Sequence, residues 1–231
     1  MGACLTGAAV LFTGGKDSVY ALHKAIWSGL NVKALASIIP HYKYSMLYHQ
    51  PNYTVLMAQA YALKIPLETI GLYDPRKEEE ALRELLCRIR DSYGVRVVVM
   101  GGIKSAFQKN AFSRVAEAIG LELYAPNWGV EEKEYMKELL DHDIEFTLIS
   151  ITSMGIPHNL LGRTITRSEL DELTKLSIKY GFNLSFEGGE AETVVINAPL
   201  FKYRLAVYGR VLEISEYEGY FEIKKVSVCK K

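Results

Sequence analysis

Six consecutive residues, Thr13-Gly14-Gly15-Lys16-Asp17-Ser18, stand where an apolar run starting at Ala8 gives way to a helical pattern. A glycine-rich turn between a strand and a helix leaves backbone N–H groups unpaired at the helix N-terminus, where an anion is favoured. Two glycines let the backbone approach phosphate oxygens closely. Lys16 adds a point charge and Ser18 a hydroxyl donor. Asp17 fits such a cradle when a cation sits between it and the phosphates, which implies Mg²⁺ with Asp17 as its ligand. The stretch is not a Walker A loop, because Val10 stands where that pattern needs glycine and Asp17 where it needs Ser or Thr. Nor is it the GxGxxG dinucleotide fingerprint. A tight turn with a capping Asp or Ser is the plainer alternative, and it accounts less well for all six residues together.

Other stretches carry chemistry less specifically. Glu187-Gly188-Gly189-Glu190-Ala191-Glu192-Thr193 sets three carboxylates around a flexible backbone. That suits metal binding or capture of a cationic group; a glycine-centred turn with solvated glutamates is the plainer and less favoured alternative. Gly101-Gly102 ends an apolar run, with Ser105 and Gln108 just beyond it. A tryptophan such as Trp128 is more often a packing residue than a binding one. His49 lies in the long stretch "SMLYHQPNY", where a surface histidine is the bland reading. Gly162-Arg163 reads as a helix-end turn or as an arginine reaching over phosphates.

The elements that must position these residues follow a βα rhythm. Apolar runs at Ala8–Phe12, Val32–Ile39, Pro66–Ile70, Val95–Met100 and Leu121–Tyr124 alternate with helical patterns near 18–29, 53–63, 76–92 and 107–119. Strands without polar alternation are buried on both faces, so the fold class is α/β with a parallel, doubly wound sheet. After Trp128-Gly129 the rhythm changes to a helix near 131–142, a strand in "EFTLISITSMG" and a helix near 167–180. Short strand candidates follow in "TVVINAPLF", "RLAVYG" and "YFEIKKVSV". This predicts a nucleotide-binding domain over 1–127 and a smaller α+β lobe over 128–231, packed without a flexible linker.

The opening loop resembles the SGGKDS loop of the N-type ATP pyrophosphatases (the PP-loop superfamily), with Thr13 in place of the first serine. Three further stretches resemble one branch, the diphthine–ammonia ligases. They are Gly101-Gly102-Ile103-Lys104-Ser105-Ala106-Phe107-Gln108, Ala125-Pro126-Asn127-Trp128-Gly129, and Glu187–Thr193 followed by Ala198-Pro199-Leu200-Phe201. A chain of this length is similar to the archaeal form. The resemblance implies a Rossmann-like sheet of the adenine nucleotide alpha-hydrolase type. It further implies ATP cleavage between the α and β phosphates, with diphthine on translation elongation factor 2 amidated by ammonia through an acyl-adenylate.

On that resemblance Thr13, Gly14, Gly15, Lys16, Asp17, Ser18, Gly101 and Gly102 hold ATP, and Lys16, Asp17 and Ser18 are catalytic. His49, Ser105, Gln108, Trp128, Glu187, Gly188, Gly189, Glu190, Glu192 and Thr193 face the acyl substrate, whose trimethylammonium group suits a carboxylate or aromatic pocket. One departure stands out. The family continues past the glutamine with two arginines, whereas this chain reads Gln108-Lys109-Asn110-Ala111. Arg114, three residues beyond Ala111 on the predicted helix, is expected to share its face and supply the missing charge. Arginine at position 111 is then expected to be tolerated.

Composition narrows the alternatives. The 231 residues are 49% hydrophobic and 23% charged, with a formal net charge of zero, so no global field attracts nucleic acid or an anionic membrane. Cys4, Cys87 and Cys229 form no CxxC or Cys/His cluster, which argues against a zinc site, a redox pair or a disulfide framework. No apolar run reaches the roughly 18 residues of a membrane span, and the N-terminus lacks a secretory pattern. A soluble cytoplasmic protein is expected, with self-association left open. Two other classes remain: a tRNA-thiolating or tRNA-amidating enzyme on the same fold, and a non-catalytic adenine-nucleotide sensor. The lack of CxxC speaks against the first, and the Lys16-Asp17-Ser18 run against the second.

Overall fold

The computed structural model describes residues 5–42, 45, 47–48 and 51–231. By its internal contacts the chain divides into two compact units. One comprises residues up to Thr13 with Asp17–Trp128, and the other Gly14–Lys16 with Gly129–Lys231.

The first unit is built on a parallel five-stranded sheet. Its strands are β1 (Gly7–Leu11), β2 (Asn31–Pro40), β3 (Leu67–Leu72), β4 (Val97–Val99) and β5 (Glu122–Tyr124), in the order β3-β2-β1-β4-β5. The helices are α1 (Lys16–Trp27), α2 (Tyr53–Leu63), α3 (Glu78–Tyr93) and α4 (Ala106–Ala118). Winding reverses between β1 and β4, so the ends of those two strands open on the crevice where such sheets bind ligands. Both faces of the sheet are covered, as the unbroken apolar runs require. Ala9, Ala34, Ala36, Ile38, Val98 and Met100 pack with Leu82, Leu85, Leu86 and Ile89 of α3 and Phe112, Val115 and Ala116 of α4. Ala8, Val10, Leu35, Val97 and Val99 alternate to the opposite face and are buried as well.

Local signals set the helix ends. Asn52 caps α2 by accepting from the Val55 N–H. Three glutamates open α3, where the helix dipole favours them, and left-handed Gly94 closes it. Ser105 caps α4. Ala111 and Arg114 do not share a face. Ala111 is fully buried, whereas the Arg114 side chain is 61% exposed and pairs with Glu79 at 2.6 Å. Positions three apart differ by about 60° around a helix, enough here to carry one side chain across the edge of the core.

The second unit holds an antiparallel sheet and two helices, α5 (Glu132–Asp141) and α6 (Arg167–Tyr180). Its strands are β6 (Glu145–Ile151), β7 (Ala191–Asn197), β8 (Tyr203–Ser215) and β9 (Glu218–Lys230), in the order β7-β6-β9-β8. A capping box joins Thr166 and Glu169 at the start of α6, and left-handed Gly181 ends it. The tail differs from the short strands expected of it. β8 and β9 form one hairpin of two 13-residue strands. Gly209 does not end a strand; it sits at a register shift where a Cβ would lie 2.3 Å from the Glu222 carbonyl oxygen. A glycine inside a strand often marks such a bulge or close backbone approach. Among the described residues no helix is long and apolar enough to cross a membrane.

Candidate active site

In the first unit the opening loop is pinned from both of its ends. Ser18 Oγ accepts from the Thr13 N–H and from the Thr13 hydroxyl, each at 3.2 Å, drawing the end of β1 onto the first turn of α1. The amide of Asn127 donates to the carbonyls of Asp17 at 3.2 Å and Gly101 at 3.1 Å. Those two backbones touch: a Cβ on Gly101 would lie 2.6 Å from the Asp17 carbonyl carbon and 2.7 Å from the Ser18 nitrogen. Gly101 is therefore required for close packing of the end of β4 against the start of α1. Gly102 is looser, meeting the flexible end of Met100. Asn127 is fully buried and its Oδ1 has no hydrogen-bond partner.

In the second unit Gly14–Lys16 lie along the edge of β7. Gly14, left-handed at φ 76°, accepts at its carbonyl from the Val195 N–H at 3.0 Å. The Lys16 N–H donates to Thr193 Oγ1 at 3.1 Å, and Lys16 Nζ donates to the Ser185 carbonyl at 2.6 Å. The lysine is 1% exposed, with its ammonium 5.8 Å from the Tyr135 ring centre and 5.6 Å from that of Phe186. Buried rings of this kind partly replace lost hydration of a cation.

The other expected site residues have separate placements. Glu190 closes its own loop, accepting from the Asn183 N–H at 3.0 Å, the Asn183 amide and the Gly188 N–H at 2.9 Å. A Cβ on Gly188 would strike the Glu190 carboxylate, and Gly189 is left-handed at φ 84°. Glu192 pairs in register with Ser150, and strand alternation turns it to the face opposite Thr193. Glu187 is half-buried. Ser105 accepts from the Gln108 N–H, and the Gln108 amide donates to the Leu47 carbonyl at 3.0 Å. Trp128 lies under the Lys109 ammonium at 4.2 Å. Arg163 lies 3.7 Å from Glu169. His49 falls outside the described residues. Glu78 accepts from the Tyr42 and Ser45 hydroxyls at 2.8 and 2.6 Å. Burial, with that bond to Glu78, pushes the Tyr42 phenol up to about 12.

Ser185 carried no sequence signal of its own, and Asn127 stood in the Ala125–Gly129 stretch with no role assigned to it. Burial against a partner far along the chain marks both.

Two family models match, the diphthamide synthase N-terminal domain over residues 6–123 and the C-terminal domain over 131–229. This chain belongs to the diphthamide synthase family. The human diphthine–ammonia ligase is 30% identical, across 86% of this chain and 82% of its own. The mouse enzyme of the same name is 29% identical with the same coverage. The Schizosaccharomyces pombe one is 27% identical over 96% of this chain and 39% of its own. A solved structure of a predicted subunit of tRNA methyltransferase from Methanocaldococcus jannaschii is 17% identical, with a TM-score of 0.43 over 84% of this chain and 98% of that one.

Proposed function

We propose that this protein is an ATP-dependent diphthine–ammonia ligase. It joins ammonia to the carboxylate of diphthine on translation elongation factor 2, in the cytoplasm, and releases AMP and pyrophosphate. The single observation that carries the reading is the closed Thr13–Ser18 loop at the β1–α1 junction, in a chain that family models match along both of its units. The diphthine–ammonia ligases of mouse and human support the choice of substrate.

In this reading a carboxylate oxygen of diphthine attacks the α-phosphorus of ATP and pyrophosphate leaves. The nitrogen of ammonia then attacks the acyl carbon, AMP departs, and the nitrogen loses a proton to water. Neither step needs a catalytic triad. The chain's contribution is to hold the phosphates and align the carboxylate. Backbone N–H groups at the start of α1, Lys16 and Ser18 face the departing pyrophosphate, and Gly101 leaves room for the loop to lie against β4. Among the described residues no group of three His, Cys, Asp or Glu forms a metal site alone. Mg²⁺ commonly takes only one or two protein carboxylates together with substrate phosphates and water, so Asp17 fits as its protein ligand. When bound, the ion would neutralise phosphate charge. Residues 1–127 serve the nucleotide and 128–231 the acyl substrate, with Ser185 and Thr193 as the exceptions argued below.

The test is product analysis with ATP, ammonium and diphthine-bearing elongation factor 2. AMP and pyrophosphate formed in step with the amide are expected. ADP plus phosphate, or no amide, would overturn the proposal.

A further inference from the structure

Around the buried ammonium of Lys16 the second unit supplies polar groups that the loop motif does not contain. Ser185 is fully buried. Its carbonyl accepts from Lys16 Nζ at 2.6 Å, and its N–H donates to Glu132 at 3.2 Å. Its hydroxyl has no hydrogen-bond partner. Buried hydroxyls are nearly always partnered, so an orphan beside a buried cation calls for a ligand. The backbone points the same way. Phe186, the next residue, is held left-handed at φ 63° although it is not glycine. Conformations of that kind persist where surrounding structure enforces them, often at binding sites. The Asn183–Phe186 turn does so here, with the Phe186 N–H donating to the Asn183 carbonyl at 2.9 Å.

Thr193 adds a second hydroxyl. Its oxygen accepts from the Lys16 N–H, and that bond does not use the hydroxyl's own proton. Lys16 thus carries Thr193 at its backbone N–H and Ser185 at its ammonium, and each of the two hydroxyls keeps a proton to donate. Such a set of donors matches a tetrahedral oxyanion.

We infer that Ser185 Oγ and Thr193 Oγ1 donate to the terminal phosphates of ATP, completing the cradle that the Thr13–Ser18 loop begins. This rests on the reading of that loop as the ATP site. It assigns Ser185 to the nucleotide and moves Thr193 from the acyl substrate to the phosphates. AMP lacks the β and γ phosphates, so it should be indifferent to both hydroxyls.

The test is calorimetric titration of the full chain with inorganic pyrophosphate, ATP and AMP, alongside thermal melting. Ser185→Ala should weaken pyrophosphate and ATP about tenfold, as loss of one charge-assisted bond does, and leave AMP affinity unchanged. Its melting temperature should not fall, because the hydroxyl bonds to nothing in the protein. Thr193→Val should show the same split, and Thr193→Ser should restore binding. Unchanged pyrophosphate and ATP affinity in both Ser185→Ala and Thr193→Val overturns the inference while leaving the ATP reading intact. So does a parallel loss of AMP affinity with a lowered melting temperature, which marks a structural role. Wild-type protein that binds none of the three ligands overturns both.

Discussion

Lys16 places its ammonium 2.6 Å from the carbonyl oxygen of Ser185, 169 residues further along the chain. The lysine is thereby a structural tie as well as a charge. Lys16→Met keeps most of the length and removes the donor, leaving a buried carbonyl unpaired. An unsatisfied buried group costs about 1–3 kcal/mol, so urea unfolding should show a loss of that size. Stability equal to wild type would mean that the tie contributes nothing.

Gly101 gives a second expectation. A Cβ there would sit 2.6 and 2.7 Å from backbone atoms of Asp17, and backbone yields less readily than the end of a side chain. Gly101→Ala should destabilise by about 1–3 kcal/mol, the usual range for overpacking, and weaken ATP by displacing the start of α1. Gly102→Ala, which meets only the Met100 methyl group at 2.8 Å, should be milder in both respects. Equal effects from the two would show that close backbone packing is not the reason for the first glycine.

Much of this arrangement was legible because it is written in local strings. The βα rhythm and the loop each depend on neighbours within a turn or two, so the parallel sheet and the α1 junction followed from pattern and from the family resemblance. What was not legible depends on distant partners. Ser185 lies in "NLSFEGG" beside the conspicuous glutamates, and nothing in that string marks its hydroxyl. Glu190 stood out as a carboxylate near glycines, yet its acceptors are filled from Asn183 and Gly188. Gly209 looked like the end of a strand because a bulge and a turn draw on the same residue.

Glu190 supports a third prediction. Glu190→Gln keeps one oxygen and turns an NH₂ group toward N–H donors, so the 183–190 loop loses at least one of three bonds. The loss should appear as faster hydrogen exchange at the Gly188 and Gly189 amides. A drop in acceptor-dependent AMP release is then expected through loop opening. If activity falls while exchange at both amides stays at the wild-type rate, the glutamate acts on the substrate directly.

Tyr42 links pH to stability. Its phenol is raised from 10.0 to about 12, by burial first and then by its bond to Glu78. The folded state therefore holds this proton more tightly than the unfolded chain. The resulting stability is fully present below pH 10 and is lost as pH rises through about 12. In Tyr42→Phe that part of the alkaline decline should vanish, which denaturant titrations at pH 9 to 12 would detect. An unaltered alkaline slope in the variant would remove Tyr42 from the cause.

The departure from the family at Ala111 now takes a different form from the one the helix spacing suggested. Ala111 is fully buried in the core against α3 and β4 neighbours, so Ala111→Arg would force a charged side chain into close-packed apolar surroundings. It should destabilise severely, by about 3–5 kcal/mol, the cost typical of an uncompensated buried charge. Arg114 is an exposed residue paired with Glu79, and pairs of that kind contribute about 0–1 kcal/mol. Arg114→Ala should therefore melt within a few degrees of wild type. If Arg114 also meets the protein substrate, that variant should bind diphthine-bearing elongation factor 2 more weakly, and the difference should shrink as salt rises. A stable, fully active Ala111→Arg variant would show that α4 can turn that position outward. Unchanged binding by Arg114→Ala at low salt would place the basic contact elsewhere, with Lys109, whose ammonium lies over Trp128, the next residue to replace.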